Sequence, residues 1–297
     1  EMSSRGLGDV YKRQAKYPRF KRRHAKQSVR YQMDQRIVLN NYRGGELLKL
    51  PKLGSLRVRW SRVPAGIPKM ATVSLNQAGQ YHVCLSVEES VDVLPAVTGT
   101  IGVDRGIKDV VVTSAGFKSG APKYTRAYER RLAKAQRKLA KCTKGSNRRN
   151  KQRIKVARIH NKIKNSRHDF VHKLTSKLVS ENQVIGIENL NVKGMVKNKR
   201  LSKAIHDAGW HEFKRQLEYK CTWYGRELVE IDRWVPTSKT CSGCGHVLDK
   251  LELSVRRWQC PRCSVEHDRD INAAINILHT VGSTGINARG DQLNRAC

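Results

Sequence analysis

Four cysteines near the carboxyl end of the chain constrain its fold more than any other feature of the sequence. Cys241 and Cys244 form one C-x2-C pair, Cys260 and Cys263 form a second, and 15 residues separate the pairs. Two such pairs can surround one tetrahedral zinc ion, as in a zinc ribbon. Because four thiolates leave no open coordination position, we expect a structural zinc ion. The spacing therefore predicts a zinc ribbon over residues 241–265.

Positive charge restricts the function of the chain. Its 297 residues include 59 Lys+Arg and 25 Asp+Glu, a formal net charge of +34. An excess of this size on a folded chain predicts a polyanionic partner, and we expect nucleic acid. The sequence contains no apolar run of about 18 residues and no secretory leader pattern. We therefore expect no membrane partner and a cytoplasmic, nucleoid-associated protein.

Residues 121–180 contain more than half of this charge, with 20 Lys+Arg against 2 acidic residues, a net +18. Apolar residues at helical spacing predict two helices here, broken near residues 145–147. A run of charge is often only a solvated face, but this concentration favours contact with a phosphate backbone. A smaller basic cluster lies at residues 18–23. The candidate nucleic-acid contacts are Arg19, Lys21, Arg22, Arg131, Arg137, Arg148, Arg149 and Arg153.

Three acidic residues lie at the ends of apolar elements. Asp104 ends a strand that returns as a hairpin, Glu188 ends a second strand, and Asp270 lies in the first turn of a helix predicted over residues 270–279. Helix capping alone would explain an aspartate at Asp268 or Asp270. Three carboxylates in one buried pocket would repel one another unless they bound a divalent cation, and carboxylates suit Mg²⁺.

The remaining segments are less specific. Residues 1–14 resemble a translated sequencing adapter, which predicts that the native amino terminus is missing. Residues 15–97 alternate short strands with Gly and Pro turns. A helix is expected over residues 203–224, with an apolar stripe typical of core, and a strand over residues 227–231. The Gly- and Asn-rich tail over residues 282–297 is predicted to be mobile.

The order of the acids, strand–acid–hairpin, strand–acid and helix–acid, is similar to that of RuvC-like nucleases of the RNase H fold. As a set, the motifs of this chain resemble the TnpB (OrfB) family of transposon-encoded proteins, relatives of type V CRISPR effectors. The matching stretches are GVDRG at 102–106, GIENL at 186–190, DRWVPTSKTC at 232–241, CPRC at 260–263 and DRDINAA at 268–274.

The resemblance implies an α/β RNase H-like (RuvC-like) nuclease core over residues 98–240 and 266–281. An inserted zinc ribbon over residues 241–265 and a preceding β-barrel-like region over residues 15–97 would complete the fold. It also implies cleavage of target DNA directed by a guide RNA from the transposon end. By position, the catalytic residues would be Asp104, Glu188 and Asp270 with two Mg²⁺ ions, and the zinc ligands would be Cys241, Cys244, Cys260 and Cys263.

Two alternatives stay open at this point. A non-catalytic zinc-ribbon protein, such as a truncated transposition regulator, would use the same basic helices and zinc, so only the three acids separate it from a nuclease. A strand-transferring transposase uses similar chemistry but differs in the order and spacing of its acids. Family members also carry more residues before the barrel, including helices that contact the guide–target duplex. These helices are absent from this sequence, so we expect target recognition by this chain to differ from that of the family.

Overall fold

A computed structural model describes residues 27–32, 39–42, 45–61, 64 and 66–293 of the chain. Residues 1–14 and the basic cluster with Arg19, Lys21 and Arg22 lie outside the described residues. The chain forms two compact units, Glu1–Ser90 with Cys142–Arg158 and Val91–Lys141 with Ile159–Cys297. Among the helices so described, we find none with the length and apolar character that a membrane crossing requires.

The first unit contains two antiparallel three-stranded sheets that share an apolar cluster of Leu48, Leu50 and Ala71. Prediction of a β-rich region is confirmed, but the described strands do not close into a barrel. The two sheets pack through side chains, and no ladder of hydrogen bonds joins them in this part of the chain. One sheet has the order β1 (Gln27–Gln32), β5 (Met70–Leu75), β6 (Tyr81–Ser86), and the other β2 (Leu39–Tyr42), β3 (Gly45–Leu50), β4 (Gly54–Arg57).

The basic segment forms two helices, α1 (Tyr124–Ala140) and α2 (Asn147–Glu181), as predicted. The predicted break is confirmed: Gly145 has a φ of +86°, and the Ser146 hydroxyl accepts a hydrogen bond from the Arg149 amide at 3.1 Å. That bond satisfies an amide in the first turn of α2. Helix α1 belongs to the second unit, whereas α2 passes from the first unit to the second after Arg158.

A four-stranded sheet organises the second unit. Its order is β10-β9-β7-β8, in which β7, β9 and β10 are parallel and β8 is antiparallel to β7. The central strands are buried on both faces, which is why they are continuous apolar runs in the sequence. This mixed α/β sheet agrees with the predicted fold class. The strands are β7 (Thr100–Asp104), β8 (Val112–Thr113), β9 (Val184–Glu188) and β10 (Glu227–Ile231).

Four further helices follow: α3 (Val192–Met195), α4 (Ser202–Ala208), α5 (Trp210–Tyr224) and α6 (Arg269–Leu293). The prediction of one helix over residues 203–224 was wrong, because Gly209 has a φ of +68° and separates α4 from α5.

The apolar stripe on α5 is core, as expected, with Phe213 and Leu217 fully buried against Val103 and Ile187 of the sheet. Helix α6 continues to Leu293, although the sequence predicted an end at His279 and a mobile tail. A two-stranded ribbon of β11 (Arg257–Gln259) and β12 (Glu266–Asp268) lies directly before α6.

Candidate active site and metal centres

Two of the predicted acids lie side by side at one edge of the central sheet. Val103 of β7 pairs in parallel with Ile187 of β9, so the next residues, Asp104 and Glu188, end adjacent strands. Because parallel strands end at the same edge, both carboxylates reach the carboxyl edge of the sheet, where open α/β sheets bind their ligands.

Two glycines bring the third acid to this edge. Gly102 and Gly186 each precede an acid by two residues and therefore lie on the same face of the sheet as that acid. A Cβ atom on Gly102 would lie 2.0 Å from the Ala274 carbonyl oxygen, and one on Gly186 would lie 2.5 Å from Val281 Cγ2. Only glycine permits this approach of α6 to the strands. The first turn of α6, which contains Asp270, is thereby held beside the strand ends.

The carboxylates interact electrostatically. Burial, together with the negative charges of Glu188 and Asp270, raises the pKa of Asp104 from 3.8 to about 7. Burial disfavours the charged carboxylate, and like charges nearby disfavour it further. The structure therefore places the three sequence-predicted acids near enough to interact electrostatically, although their oxygens do not form a group within 4.8 Å of one another among the described residues.

Asp268 and Asp270, which sequence reasoning could not separate by helix capping, have different surroundings. Asp268 Oδ1 accepts hydrogen bonds from the amides of Asp270 and Ile271, each at 3.2 Å, and its Oδ2 accepts one from Lys118 Nζ at 2.7 Å. Asp268 is thus a helix cap with its own cation. The negative charge of Asp270 contributes to the raised pKa of Asp104. Asp270 Oδ1 accepts a hydrogen bond from Arg256 Nη1 at 3.4 Å, which is longer than the Lys118 bond to Asp268.

Sequence reasoning missed a polar network that holds this arrangement. The Thr237 hydroxyl, which is buried, donates to Glu188 Oε1. The side-chain amides of Asn272 and Asn276 on α6 each donate to the Thr240 carbonyl at 2.7 Å, and Asn276 also donates to the Thr237 carbonyl at 2.7 Å. These bonds tie α6 to the segment that leads into Cys241. The residues of this network lie in the PTSKTC and DINAAIN stretches. The sequence shows that a hydroxyl and two side-chain amides are present there, but it does not show which groups they hydrogen-bond.

The four predicted zinc ligands converge. Their Sγ atoms all lie within 4.8 Å of one another, with Cys241 Sγ 3.6 Å from Cys263 Sγ and Cys244 Sγ 3.6 Å from Cys260 Sγ. Four thiolates so close together form a site that can hold a zinc ion. His267, which the sequence did not single out, is buried with Nε2 3.0 Å from Cys241 Sγ. Burial lowers its pKa, which favours the neutral ring.

A second group with metal-binding side chains lies elsewhere, between α2 and α5. It contains His168, His172 and Glu212, with ligand atoms within 4.8 Å of one another. However, both Glu212 oxygens accept hydrogen bonds from Arg215, at 2.6 and 2.9 Å, and Gln216 also donates to Oε1. The Arg215 hydrogen bonds lower the pKa of Glu212 to about 2. The guanidinium already neutralises this carboxylate.

The candidate nucleic-acid contacts that the structure describes are five arginines. Arg131 and Arg137 are exposed on α1, and Arg148 is exposed at the start of α2. Arg149 is half-buried and donates to the Cys142 carbonyl at 3.0 Å, and Arg153 is also half-buried. The structure thus separates three solvent-facing guanidinium groups from two that face the protein.

Comparison with known proteins places the chain among transposon proteins. Residues 82–199 match the OrfB family of IS605 elements, described as probable transposases, and residues 210–277 match the Cas12f1-like TNB domain. A Streptomyces pristinaespiralis protein, provisionally named an RNA-guided DNA endonuclease, is 46% identical over 92% of this chain and 67% of its own length. The Escherichia coli protein InsQ, given the same provisional name, is 31% identical over 92% of the chain and 71% of its own length.

A solved structure has the same fold at much lower identity. It is the cryo-EM structure of a Cas12f1–sgRNA–target DNA complex, which matches 91% of this chain and 67% of that chain with a TM-score of 0.61 and 15% identity. At that identity the match speaks only to the fold. The sequence matches to the two curated relatives go further, since each extends over two thirds or more of a full-length protein. This chain therefore belongs to the TnpB-like (IS605 OrfB) family of transposon-encoded proteins.

Proposed function

We propose that this chain acts as an insertion-sequence-encoded, RNA-guided DNA endonuclease that hydrolyses phosphodiester bonds. The observation that carries the proposal is the burial of Asp104 among two other carboxylates, which raises its pKa to about 7. Carboxylates gathered in this way are typical of a site that binds cations for catalysis. A protein that only binds nucleic acid gains nothing from three acids at a ligand-binding edge, because they repel phosphate.

The carboxylate set fits magnesium, because oxygen ligands and excess negative charge are what this cation requires. Asp104, Glu188 and Asp270 would hold two Mg²⁺ ions. Such ions, when bound, activate a water molecule and stabilise the leaving oxygen of a phosphodiester. The protein's own contribution is positioning: Thr237 orients the Glu188 carboxylate by hydrogen bonding, and the α6 amides hold the helix that supplies Asp270.

In this proposal the RNase H-like core consists of residues 98–240 and 266–281, and the ribbon of residues 241–265 is inserted between them. A zinc ion bound by Cys241, Cys244, Cys260 and Cys263 would be structural, because four thiolates complete its coordination. The segment that contains Thr237 leads directly into the ribbon, and the ribbon is followed by α6. Zinc would therefore stabilise the elements that orient two of the three acids.

The partners in this proposal are a guide RNA from the transposon end and a target DNA, with the protein acting at the nucleoid. The names of the relatives support the guide and the target, since both curated proteins carry the name RNA-guided DNA endonuclease. The net charge of +34 supports binding to phosphate backbones. Arg131, Arg137 and Arg148 are the described candidates whose exposure suits such contacts, and the other predicted cations remain predictions.

The test is cleavage of labelled single-stranded DNA in Mg²⁺ or Mn²⁺ by the parent chain and by Asp104→Ala, with zinc content measured on both. Cleavage by the parent and a loss of about 10³-fold or more in the variant at equal zinc content would support the nuclease. Equal rates in the two proteins would overturn the assignment of Asp104. If the parent chain, supplied with guide RNA, binds DNA saturably but does not cleave it, the result would favour the non-catalytic alternative.

A further inference from the structure

A cationic cleft opens at the same sheet edge as the three acids, and neither the proposed chemistry nor the motifs account for it. Its volume is about 480 Å³, within the usual range for ligand pockets. Arg105, which follows Asp104, Asn189, which follows Glu188, and Arg233, which follows β10, all line it, together with Lys193 of α3 and Trp210 of α5. The cleft therefore lies where three parallel strands end.

Two buried donors in the wall of this cleft have no acceptor. Arg105 is 6% exposed and Trp210 is 2% exposed, and Arg105 Nε and Trp210 Nε1 have no hydrogen-bond partner among the residues that the structure describes. The other end of the Arg105 guanidinium is fixed, because Nη2 donates to the Glu188 carbonyl oxygen. A buried N–H group without a partner is costly, and such groups are normally paired with protein, water or a ligand. Both side chains line the cleft, so an acceptor bound in the cleft could pair with these donors.

The charges around the cleft require that acceptor to be an anion. Five cationic side chains line it against one carboxylate, that of Glu218. Lys214 pairs with Glu230 at 2.6 Å and Arg215 pairs with Glu212 at 2.6 Å. Arg105, Lys193 and Arg233 make no ion pair within the described part of the chain. The Arg105 guanidinium also interacts electrostatically with Glu188, Glu230 and Asp104, which leaves Lys193 and Arg233 as the uncompensated cations of the cleft. Two uncompensated cations beside two unpaired donors form an anion site.

An exposed aromatic residue next in sequence to the cleft-lining Arg233 indicates the source of the anion. Trp234 follows Arg233 and is 82% exposed, so its indole is open to a base. Exposed aromatic residues next to cations are typical of surfaces that bind single-stranded nucleic acid, where bases stack and phosphates pair. A strand phosphodiester uses both features, whereas inorganic phosphate uses only the cations.

We propose that this cleft binds a backbone phosphodiester of the DNA strand that the carboxylates cleave, with Arg105 and Trp210 as buried donors and Lys193 and Arg233 as rim cations. The proposal rests on the proposed nuclease function for the identity of the strand. Binding in the cleft itself requires neither metal nor cleavage. Asp104 is the last residue of β7 and Arg105 follows it directly, so one strand end would supply both an acid and a phosphate-binding donor.

The experiment follows the indole N–H signal of Trp210 by NMR in zinc-loaded, Mg²⁺-free, ¹⁵N-labelled full-length chain. The signal is assigned by its loss in Trp210→Phe, which keeps an aromatic ring at this position and removes the N–H donor. Thymidylyl-thymidine, a phosphodiester, is titrated in parallel with inorganic phosphate and thymidine. We expect a saturable shift with the dinucleotide, no shift with thymidine, and at least about tenfold weaker binding in the double variant Lys193→Gln/Arg233→Gln. Lys199→Gln, an exposed lysine of the same region that does not line the cleft, is the matched control and should bind normally.

The outcomes separate this proposal from the nuclease proposal. A dinucleotide-dependent shift in a parent chain that, supplied with guide RNA and Mg²⁺, does not cleave DNA would uphold the cleft and overturn the nuclease. Cleavage by a chain whose Trp210 signal does not respond to the dinucleotide would overturn the cleft. A response to inorganic phosphate alone would reject a strand phosphodiester as the ligand. Equal weakening by Lys199→Gln would show that binding reflects general charge and would also overturn the cleft.

Discussion

The cysteine cluster and the carboxylate cluster are both candidate metal centres, yet they are built in opposite ways. The cysteine ligands lie within residues 241–263, and short turns bring their sulfurs together. The carboxylates come from two strands and a helix that are distant in sequence, from Asp104 to Asp270. They meet only because Gly102 and Gly186 let α6 approach the sheet.

The difference teaches what each centre needs from the rest of the protein. Four thiolates satisfy a zinc ion completely, so the ribbon requires little beyond its own turns and the ion. The packing of the core buries Asp104 and holds it near two other carboxylates against their repulsion, which is why the pKa of Asp104 is raised. The first centre depends on its metal for folding, whereas the second depends on the fold for its metal.

The largest expected effect tests the dependence of the ribbon on zinc. Cys244→Ser should abolish bound zinc, because binding of a structural zinc ion supplies about 10 kcal/mol of folding free energy that three thiolates cannot provide. Zinc content by atomic absorption and protease sensitivity of the 241–268 segment measure this loss. Cys84→Ser, an exposed cysteine outside the cluster, is the control and should retain full zinc. Retention of zinc by Cys244→Ser would contradict the four-cysteine site.

The next effect tests which aspartate of α6 belongs to the carboxylate cluster. Asp270→Asn should reduce the rate of DNA cleavage by about 10³-fold, because it removes one of the three carboxylate charges proposed to hold the Mg²⁺ ions. Asp268→Asn is the matched control: asparagine can still cap the helix, and the cleavage rate should stay within about threefold. A larger loss in Asp268→Asn than in Asp270→Asn would exchange the two assignments.

The same contrast explains how much the sequence could predict. The spacing of the cysteines is a local pattern, so all four ligands followed from it. The acids at the ends of β7 and β9 followed from apolar runs that end in a carboxylate. The role of Thr237 could not be predicted. Its hydroxyl donates a hydrogen bond to Glu188, which is distant in sequence, and hydrophobic periodicity carries no information about such a contact. The break at Gly209 was also missed, because apolar spacing continues across it and the left-handed backbone there is invisible to periodicity.

A smaller effect tests the repulsion in the carboxylate cluster. An acid with a raised pKa in the folded state destabilises the fold as pH rises from its unfolded value, 3.8 for Asp104, through its folded value of about 7. Asp104→Asn removes that charge and should stabilise the zinc-loaded, Mg²⁺-free protein by up to about 4 kcal/mol at pH 8, but hardly at pH 4. Urea unfolding at the two pH values measures the difference.

Asp109→Asn is the control for that experiment, since Asp109 Oδ1 accepts a hydrogen bond from the Gly120 amide and lies outside the carboxylate cluster. We expect Asp109→Asn not to raise the free energy of unfolding at pH 8. If Asp104→Asn instead destabilised the Mg²⁺-free protein at pH 8, burial and the neighbouring carboxylates would not disfavour the charged Asp104 as the geometry implies.

The smallest effect concerns His168, His172 and Glu212, which bring metal-binding side chains together without excess charge. Arg215 neutralises Glu212 and lowers the pKa of Glu212 to about 2, so this pairing stabilises the fold above pH 4.5 and is lost as pH falls from 4.5 towards 2. Because Arg215 is half-exposed, we expect Glu212→Gln to cost only about 1 kcal/mol at pH 7 and less at pH 3 by urea unfolding, with zinc content unchanged. Loss of one zinc equivalent in Glu212→Gln would show that proximity of ligand atoms suffices for a metal centre, and uncompensated charge would then no longer distinguish the carboxylate cluster.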